Sequence, residues 1–273
     1  YEWALLRALF DSGSVRIPEP LWFDPAGEEL GSPAFISRNI ECDSLFVHTQ
    51  GATEAANRGL LAPLARTAAS VHTFDLSKLP SAVERPASWS AYMDTCIARW
   101  RTVEAEHCER EPFVRVAAAW LDANRPPEAP LGLVHGDFQG TNVLIEKGTG
   151  AFHMIDWELG HIGDPREDLG WWALAHLSQP PDIIAQNMDE FLKAYRAETG
   201  FTEAMVNPAT VAYFTVLASA GVFFNLMKMT SRIAAGEKAG SSAAYMTNAM
   251  PFIHNTWINS MRAAGGWTKE NAA

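Results

Sequence analysis

The chain is poor in cysteine and in basic residues. Its three cysteines, Cys42, Cys96 and Cys108, form no C-x-x-C pair, which argues against structural zinc and a disulfide framework and fits a reducing compartment. With 21 Lys and Arg against 32 Asp and Glu, the formal net charge is −11. Such a charge disfavours nucleic acid as a partner and mildly favours a cationic substrate.

Long uninterrupted hydrophobic runs are also missing. Residues 204–227 carry no charged side chain, but Asn207, Pro208, Ser219 and Asn225 interrupt them, so we predict a buried core helix and no membrane partner. The opening residues lack the pattern of a secretory signal peptide, and we expect a cytoplasmic protein. With 48% hydrophobic residues, the chain can build a sizeable core in one large or two modest domains.

The most informative stretch combines three polar residues with a predicted hairpin. Asp137 follows a short apolar strand and lies in a loop, and the predicted strands 142–146 and 151–155 are joined by a turn rich in glycine. The hairpin should bring Asn142, at its start, close to Asp156, just past its end.

These residue types suit phosphoryl transfer. A carboxylate can accept the proton of an attacking hydroxyl, and carboxamide and carboxylate oxygens can hold Mg²⁺ against nucleotide phosphates. Asn142 follows Asp137 at the spacing of the kinase catalytic loop, H-x-D-x-x-x-x-N. Asp156 then takes the place of the aspartate in the kinase D-F-G motif.

Three short motifs together carry a resemblance to a known family: His135-Gly136-Asp137, Ile155-Asp156-Trp157-Glu158 and Gly163-Asp164-Pro165. In combination they resemble the aminoglycoside phosphotransferase and choline kinase-like family. The resemblance implies a protein-kinase-like α/β (α+β) fold with two lobes. Residues 1–41 would be the remainder of the N-terminal nucleotide-binding lobe with the hinge, and residues 42–273 the large, mostly helical catalytic and substrate-binding lobe.

The resemblance also implies an activity and its cofactors. The protein would be a small-molecule kinase that uses ATP and Mg²⁺ to phosphorylate a hydroxyl group. Asp137 would be the catalytic base, Asn142 and Asp156 would bind the metal, and Glu2 would pair with a phosphate-binding lysine. The residues whose backbone would meet adenine are Ser37, Arg38 and Asn39.

Three further residues are expected to support this site. The imidazole of His135 can hold the loop by bonding backbone groups. Asp168, near the start of a predicted helix, can accept hydrogen bonds from backbone N–H groups of the catalytic loop, and Asp164 has a similar supporting role. The tryptophans of this region, Trp157, Trp171 and Trp172, are predicted to be core residues.

One part of the family pattern is missing from the sequence. A complete small lobe has a Gly-rich loop and a lysine strand before the helix that bears the glutamate, whereas this chain opens on that helix. Lys78 and Lys147 lie in the wrong places to substitute. We expect an upstream segment that contains a Gly-rich turn between two strands and a lysine that pairs with Glu2.

Two other functions stay open on the sequence alone. A metal-dependent hydrolase would use His135 and Asp137 as ligands, with Asp156, His161 and Asp164 available as further ones. A kinase-fold binding protein without catalysis would explain the missing lysine. Fold and catalytic motif do not identify the acceptor.

Periodicity and breaker residues predict the remaining elements. A loop is expected over 160–165, and strands over 21–23 and 33–40. Helices are predicted over 1–10, 54–72, 111–123, 166–178, 182–199, 209–235 and 242–263. A further helix is predicted to begin after an N-cap at Ser88.

Overall fold

A computed structural model describes residues 1–109, 111–176, 181–236 and 250–265. The N-terminal part contains α1 (Glu2–Ser12), β1 (Pro20–Asp24), β2 (Ala34–Ser37), β3 (Cys42–Ser44), α2 (Leu45–Thr49), α3 (Glu54–Gly59) and α4 (Leu61–His72). The middle contains α5 (Trp89–His107), α6 (Phe113–Ala123), β4 (Gly132–Val134), β5 (Val143–Glu146), β6 (Phe152–Met154) and β7 (His161–Gly163). The C-terminal part is helical: α7 (Arg166–Ala175), α8 (Met188–Thr199), α9 (Pro208–Ala234) and α10 (Met250–Ala263).

The strands form three small antiparallel sheets. β1 pairs with β2, β5 lies between β3 and β6, and β4 pairs with β7. The predicted catalytic hairpin is confirmed, with Val143 opposite Met154 and Ile145 opposite Phe152. These four side chains are buried, so packing of one face fixes the register of the hairpin.

The loop predicted over 160–165 is wrong for residues 161–163, which form β7. β7 pairs with β4 through Gly132–Gly163 and Val134–His161. This pairing joins segments about thirty positions apart in sequence, so no local pattern indicates it. The backbone of β4 also approaches the end of α4 closely, because a Cβ on Gly132 would lie 2.3 Å from the carbonyl oxygen of His72.

The helix predicted over 1–10 is confirmed as α1. Leu5 and Leu9 are fully buried, whereas Phe10 is 37% exposed. Trp3 stacks on Phe23 of β1, with ring centroids 5.0 Å apart. The helix ends at Gly13, whose φ of 66° terminates it in the left-handed conformation.

Most other helices match their predicted positions. The helix predicted over 54–72 is divided into α3 and α4 at Leu60, and Pro63 lies in the first turn of α4, where it removes no helical hydrogen bond. Ser88 caps α5 by accepting a hydrogen bond from the N–H of Ala91. The predicted residues 177–178 and 242–249 lie outside the described part of the chain.

Buried side chains form two clusters. The first joins α1, α4, α8 and the catalytic hairpin, so Leu5 of α1 shares a core with Met154 of β6. The boundary predicted at residue 41 therefore lies within a shared core and stays a prediction. The second cluster joins α5, α6, α9 and α10, with Trp257 beside Trp100.

Helix α9 is long and apolar enough to span a membrane by length and composition. However, 61% of its apolar window is buried within the protein. Tyr213, Phe214 and Val216 are almost fully buried, as the prediction of a core helix requires. Gly170 of α7 lets this helix approach closely, since a Cβ there would lie 2.3 Å from the backbone carbon of Phe214.

We predict that Gly170→Ala lowers the free energy of unfolding by about 1–3 kcal/mol, because the clash is with backbone that cannot rotate away. Gly59→Ala is the matched control, since a Cβ at Gly59 meets no described atom within 4 Å. Urea denaturation measures both. Equal stabilities for the two variants would contradict the contact between α7 and α9.

Candidate active site

The catalytic loop is anchored by one buried carboxylate. Asp168 of α7 is 1% exposed. Its oxygens accept hydrogen bonds from the backbone N–H groups of His135, at 2.8 Å, and Gly136, at 2.9 Å. Helix α7 thereby fixes the backbone that leads into Asp137.

Asp168 is itself held by the buried side chain of His72, which also contacts Tyr195. The Nε2 of His72 lies 2.9 Å from Oδ2 of Asp168, and the Nδ1 of His72 lies 2.6 Å from the hydroxyl of Tyr195. Burial raises the pKa of the Asp168 carboxyl. This effect is outweighed by the hydrogen bond and charge of His72 and by the contacts with His135. The pKa of Asp168 therefore lies below its ordinary value. Asp168 is therefore a carboxylate at neutral pH.

Both ring nitrogens of His135 are occupied. Nε2 lies 2.9 Å from the carbonyl oxygen of Ile155 and donates to it, while Nδ1 accepts from the N–H of Asp137 at 3.2 Å. Burial lowers the pKa of His135, which favours the neutral ring. Because no lone pair remains for a metal, His135 cannot be the ligand that a metal-dependent hydrolase needs.

Asp137 is surrounded by side-chain donors. The indole N–H of Trp171 donates to Oδ1 at 2.6 Å, and the Nε2 of Gln139 lies 2.8 and 2.9 Å from the two carboxylate oxygens. The Nδ2 of Asn142 donates to Oδ2 at 2.7 Å. These donors hold the carboxylate in one orientation.

The role of Trp171 differs from the sequence prediction. Trp157 and Trp172 are buried in the core, at 0% and 1% exposed, but Trp171 is only partly buried and contacts Asp137. The sequence contained a weak signal, because an indole N–H near a surface needs an acceptor and Trp171 follows Asp168 by one helical turn. Nothing in the sequence indicated that Gln139 contacts Asp137, apart from its position in the same loop.

Asn142 links the base to the expected metal site. Its Nδ2 also donates to the backbone oxygen of Asp137 at 3.0 Å. Since the nitrogen faces Asp137, Oδ1 is the amide atom left for a cation. The carbonyl of Asn142 accepts from the N–H of Ile155 at 3.1 Å, which connects it to the chain just before Asp156.

Asp156 and Glu2 lie at the same end of the site. Asp156 has a φ of 67°, the one positive value among described residues other than glycine; such backbone strain is typical of functional sites. Burial, followed by the negative charges of Asp156 and Glu158, raises the pKa of Glu2 above its ordinary value. The structure thus places Glu2 within electrostatic reach of Asp156 and Glu158, near the end of the hairpin.

The donor atoms fit the cofactor that the sequence implies. Mg²⁺ is commonly held by one or two protein oxygens together with substrate phosphates, and Oδ1 of Asn142 and the carboxylate of Asp156 are such oxygens. A closed protein cage is not needed. Within the described residues, no group of three or more His, Cys, Asp or Glu side chains is arranged to hold a metal.

Asp164 belongs to a separate buried pair. Its carboxylate contacts Arg166 at 2.6 Å with both side chains fully buried, and it accepts from the indole N–H of Trp89 at 2.6 Å. This pair fixes the start of α7, which carries Asp168.

The proposed adenine contacts lie at the last residue of β2 and directly after it. The residues concerned are Ser37, Arg38 and Asn39. The backbone N–H of Arg38 already donates to the carbonyl of Glu19 at 2.8 Å, and its guanidinium pairs with the Glu19 carboxylate. Their assignment to nucleotide binding stays a prediction.

A kinase-like catalytic loop on a mixed α/β fold defines a phosphotransferase class. A sequence model of the phosphotransferase enzyme family, APH, matches residues 1–208. The chain belongs to this family, as its motifs indicated.

Solved structures of low sequence identity share the fold. One is a protein from Ralstonia eutropha JMP134 assigned by name to the aminoglycoside phosphotransferases, with a TM-score of 0.74, 17% identity, and coverage of 96% of this chain and 83% of that one. Another is a choline/ethanolamine kinase family protein from Mesorhizobium loti, with a TM-score of 0.64, 17% identity, and coverage of 96% and 82%. A third is an aminoglycoside phosphotransferase, APH(4)-Ia, in a ternary complex with ADP and hygromycin B, with a TM-score of 0.60, 20% identity, and coverage of 93% and 83%.

Curated relatives are longer proteins. Acyl-CoA dehydrogenase family member 11 from Rattus norvegicus is 26% identical over 182 residues, and that from Pongo abelii is 24% identical over 178 residues. The alignments cover 65% and 63% of this chain. The chain spans 22% of the length of each of these relatives.

We predict that Asp168→Asn lowers the free energy of unfolding by about 1–3 kcal/mol at pH 7, because an amide nitrogen would face backbone donors. Asp189→Asn, at an exposed site on α8, is the matched control. The fold lowers the pKa of Asp168, so its contribution is complete above the unfolded-state value of about 3.9 and is lost as the pH falls further. The stability difference between parent and variant should therefore shrink below about pH 4. Urea denaturation across pH checks this, and a constant difference would contradict it.

Proposed function

We propose that the protein transfers the γ-phosphoryl group of ATP to a hydroxyl of a small molecule. The observation that carries this proposal is Asp137, a carboxylate oriented by Trp171, Gln139 and Asn142. A cavity of about 1160 Å³ lies beside it, lined in part by Gly136 and Trp171. A hydroxyl bound at this end of the cavity would lie close to Asp137, because the chain neighbour Gly136 and the hydrogen-bond partner Trp171 both line it.

The carboxylate of Asp137 would orient the acceptor hydroxyl and accept its proton as the hydroxyl oxygen attacks the γ-phosphorus. The bond between the γ-phosphorus and the β,γ-bridging oxygen would break, and ADP would leave with that oxygen. The donors around Asp137 hold its carboxylate in one orientation. Trp171 supplies the shortest of these hydrogen bonds, at 2.6 Å. Because Trp171 also lines the cavity, it connects acceptor binding with the position of the base.

Asn142 and Asp156 would hold Mg²⁺, which neutralises phosphate charge when bound. Asn142 donates from Nδ2 to Asp137 and presents Oδ1 to the metal side. One planar amide thus sets the separation between base and phosphates. Glu2 is near Asp156, and the clustering of their charges supports a cation at this end of the site.

The comparisons support this assignment at the level of the class. A neighbour of the same fold carries ADP together with hygromycin B, a small-molecule acceptor. A kinase-fold protein without catalysis is the remaining alternative, and it would bind nucleotide without turnover. The hydrolase alternative has lost its proposed ligand, since the ring nitrogens of His135 are both occupied. We also propose a cytoplasmic location, in keeping with three free cysteines.

We predict that Asp137→Asn reduces phosphoryl transfer by about 10²- to 10⁴-fold while the variant still folds, as judged by a cooperative urea transition, because it removes the base and keeps the shape. The full chain is assayed for Mg²⁺-dependent ADP formation against a panel of hydroxyl compounds, with EDTA as the metal-free control. A variant rate within twofold of the parent would show the assignment of the base to be wrong. Nucleotide binding without turnover in the parent would instead establish the binding protein.

We predict that Trp171→Phe lowers kcat by about tenfold or more, since Asp137 loses a hydrogen bond to an ionised group worth about 1.5–3 kcal/mol. Trp120→Phe is the matched control, because the buried indole nitrogen of Trp120 has no hydrogen-bond partner in the described part of the chain. Steady-state kinetics compare the two. Equal kcat values would show that the Trp171 contact does not position the base.

A further inference from the structure

The cavity beside the catalytic loop extends between two helices. Tyr92, Cys96, Arg99 and Val103 of α5 line one wall, at the spacing of a single helix face. Helices α5 and α9 lie side by side, because the indole nitrogen of Trp100 donates to the carbonyl of Leu217. The cavity thus continues away from the catalytic loop along this pair of helices.

The wall formed by α9 presents an apolar surface to a ligand. Ala218, Gly221, Val222 and Phe224 line it, and residues 204–227 carry no charge. Small side chains at Ala218 and Gly221 leave width for a chain-like ligand. A polycationic acceptor would lose hydration of its ammonium groups against this wall without gaining an ionic partner there.

Arg99 is an arginine with no counterion among the described residues. It is exposed on the cavity wall, and no hydrogen bond or ion pair involves it within the described part of the chain. Nearby arginines differ, since Arg101 pairs with Glu104 and Arg125 pairs with Asp94. A free guanidinium in a cavity is a binding group for an anion.

The acidic groups of the cavity do not neutralise Arg99. Asp168 holds the catalytic loop, and Glu167 accepts from the N–H of Asp164 and faces His161. Glu158 belongs to the end near Glu2. Glu84 is exposed beside Arg85, whose guanidinium donates to backbone carbonyls.

The position of Arg99 sets the length of the ligand. The hydroxyl of Tyr92 lies 2.8 Å from Nε2 of His161, close to the catalytic end of the cavity. Arg99 lies seven residues further along α5, a rise of about 10 Å. An anionic group at Arg99 would therefore be separated from the reacting hydroxyl by an apolar spacer of roughly this length.

We propose that the acceptor is an amphipathic alcohol with an apolar chain and an anionic group at the far end, and that Arg99 binds this anion. The identity of the reacting hydroxyl rests on the proposed function, whereas binding of the anion does not. The acidic net charge of the chain favours the opposite sign, but it describes the whole surface and not this wall.

Four probes of equal chain length separate the possibilities in a calorimetric binding titration of the full chain. They are 8-hydroxyoctanoate, 8-hydroxyoctyl phosphate, octane-1,8-diol and (8-hydroxyoctyl)trimethylammonium. We expect the anions to bind at least about tenfold more tightly than the diol, as a charge-assisted contact implies. Whichever of the two anions binds more tightly shows whether the site prefers a carboxylate or a phosphate group. Equal or tighter binding of the diol or the cation would overturn the proposal.

Variants then assign the effect to one residue. Arg99→Met removes the charge and keeps an apolar stem, so the preference for anions should disappear while the affinity for the diol stays. Arg99→Glu should reverse the preference toward the cation. Arg66→Met, at an exposed arginine of α4 away from the cavity, is the matched control and should keep the parent preference. An anion preference that survives Arg99→Met would overturn the assignment.

Turnover provides an independent readout. If the anionic alcohol binds through Arg99 but yields no ADP, the proposed phosphoryl transfer fails and the anion site stands. If ADP forms equally with all four probes and binding shows no charge preference, the transfer stands and the anion site fails.

Discussion

The hydrogen bonds from the catalytic loop to the Asp168 carboxylate are the interaction on which the rest of the site depends. Two consecutive N–H groups converge on this buried group, and His72 approaches it from α4. A buried carboxylate is stable only when its oxygens are occupied. The catalytic loop, α4 and α7 must therefore come together in one arrangement. Helix α7 then also places Trp171 against Asp137.

A second constraint is the concentration of negative charge. Asp137 has several donors from the protein, whereas burial, followed by the negative charges of Asp156 and Glu158, raises the pKa of Glu2. The two ends of the site thus differ in how their charge is balanced. The base end is complete within the chain, and the other end suits a divalent cation and nucleotide.

The sequence predicted those parts whose information is local. The hairpin, its turn and the order of Asp137, Asn142 and Asp156 follow from short-range patterns, and pairing of β5 with β6 confirmed the hairpin. The pairing of β7 with β4 could not be foreseen, because only three residues carry it and their partner is distant. The contact of Trp171 was missed for a related reason. Periodicity separates buried from exposed positions, but it does not show that an indole N–H at a partly buried position faces a carboxylate of another segment.

The residues proposed for catalysis and those proposed for acceptor choice lie in different parts of the chain. The groups assigned to phosphoryl transfer lie between His135 and Trp171 on the loop, the hairpin and α7. The cavity wall along α5 and α9 contributes side chains that do not touch Asp137, Arg99 among them. Substitutions on these helices can alter the charge and width of the cavity while the Asp168 anchor and the Asp137 donors stay in place. Membership of the family therefore constrains the reaction much more than the acceptor, and the charge of the acceptor has to be inferred from the cavity wall itself.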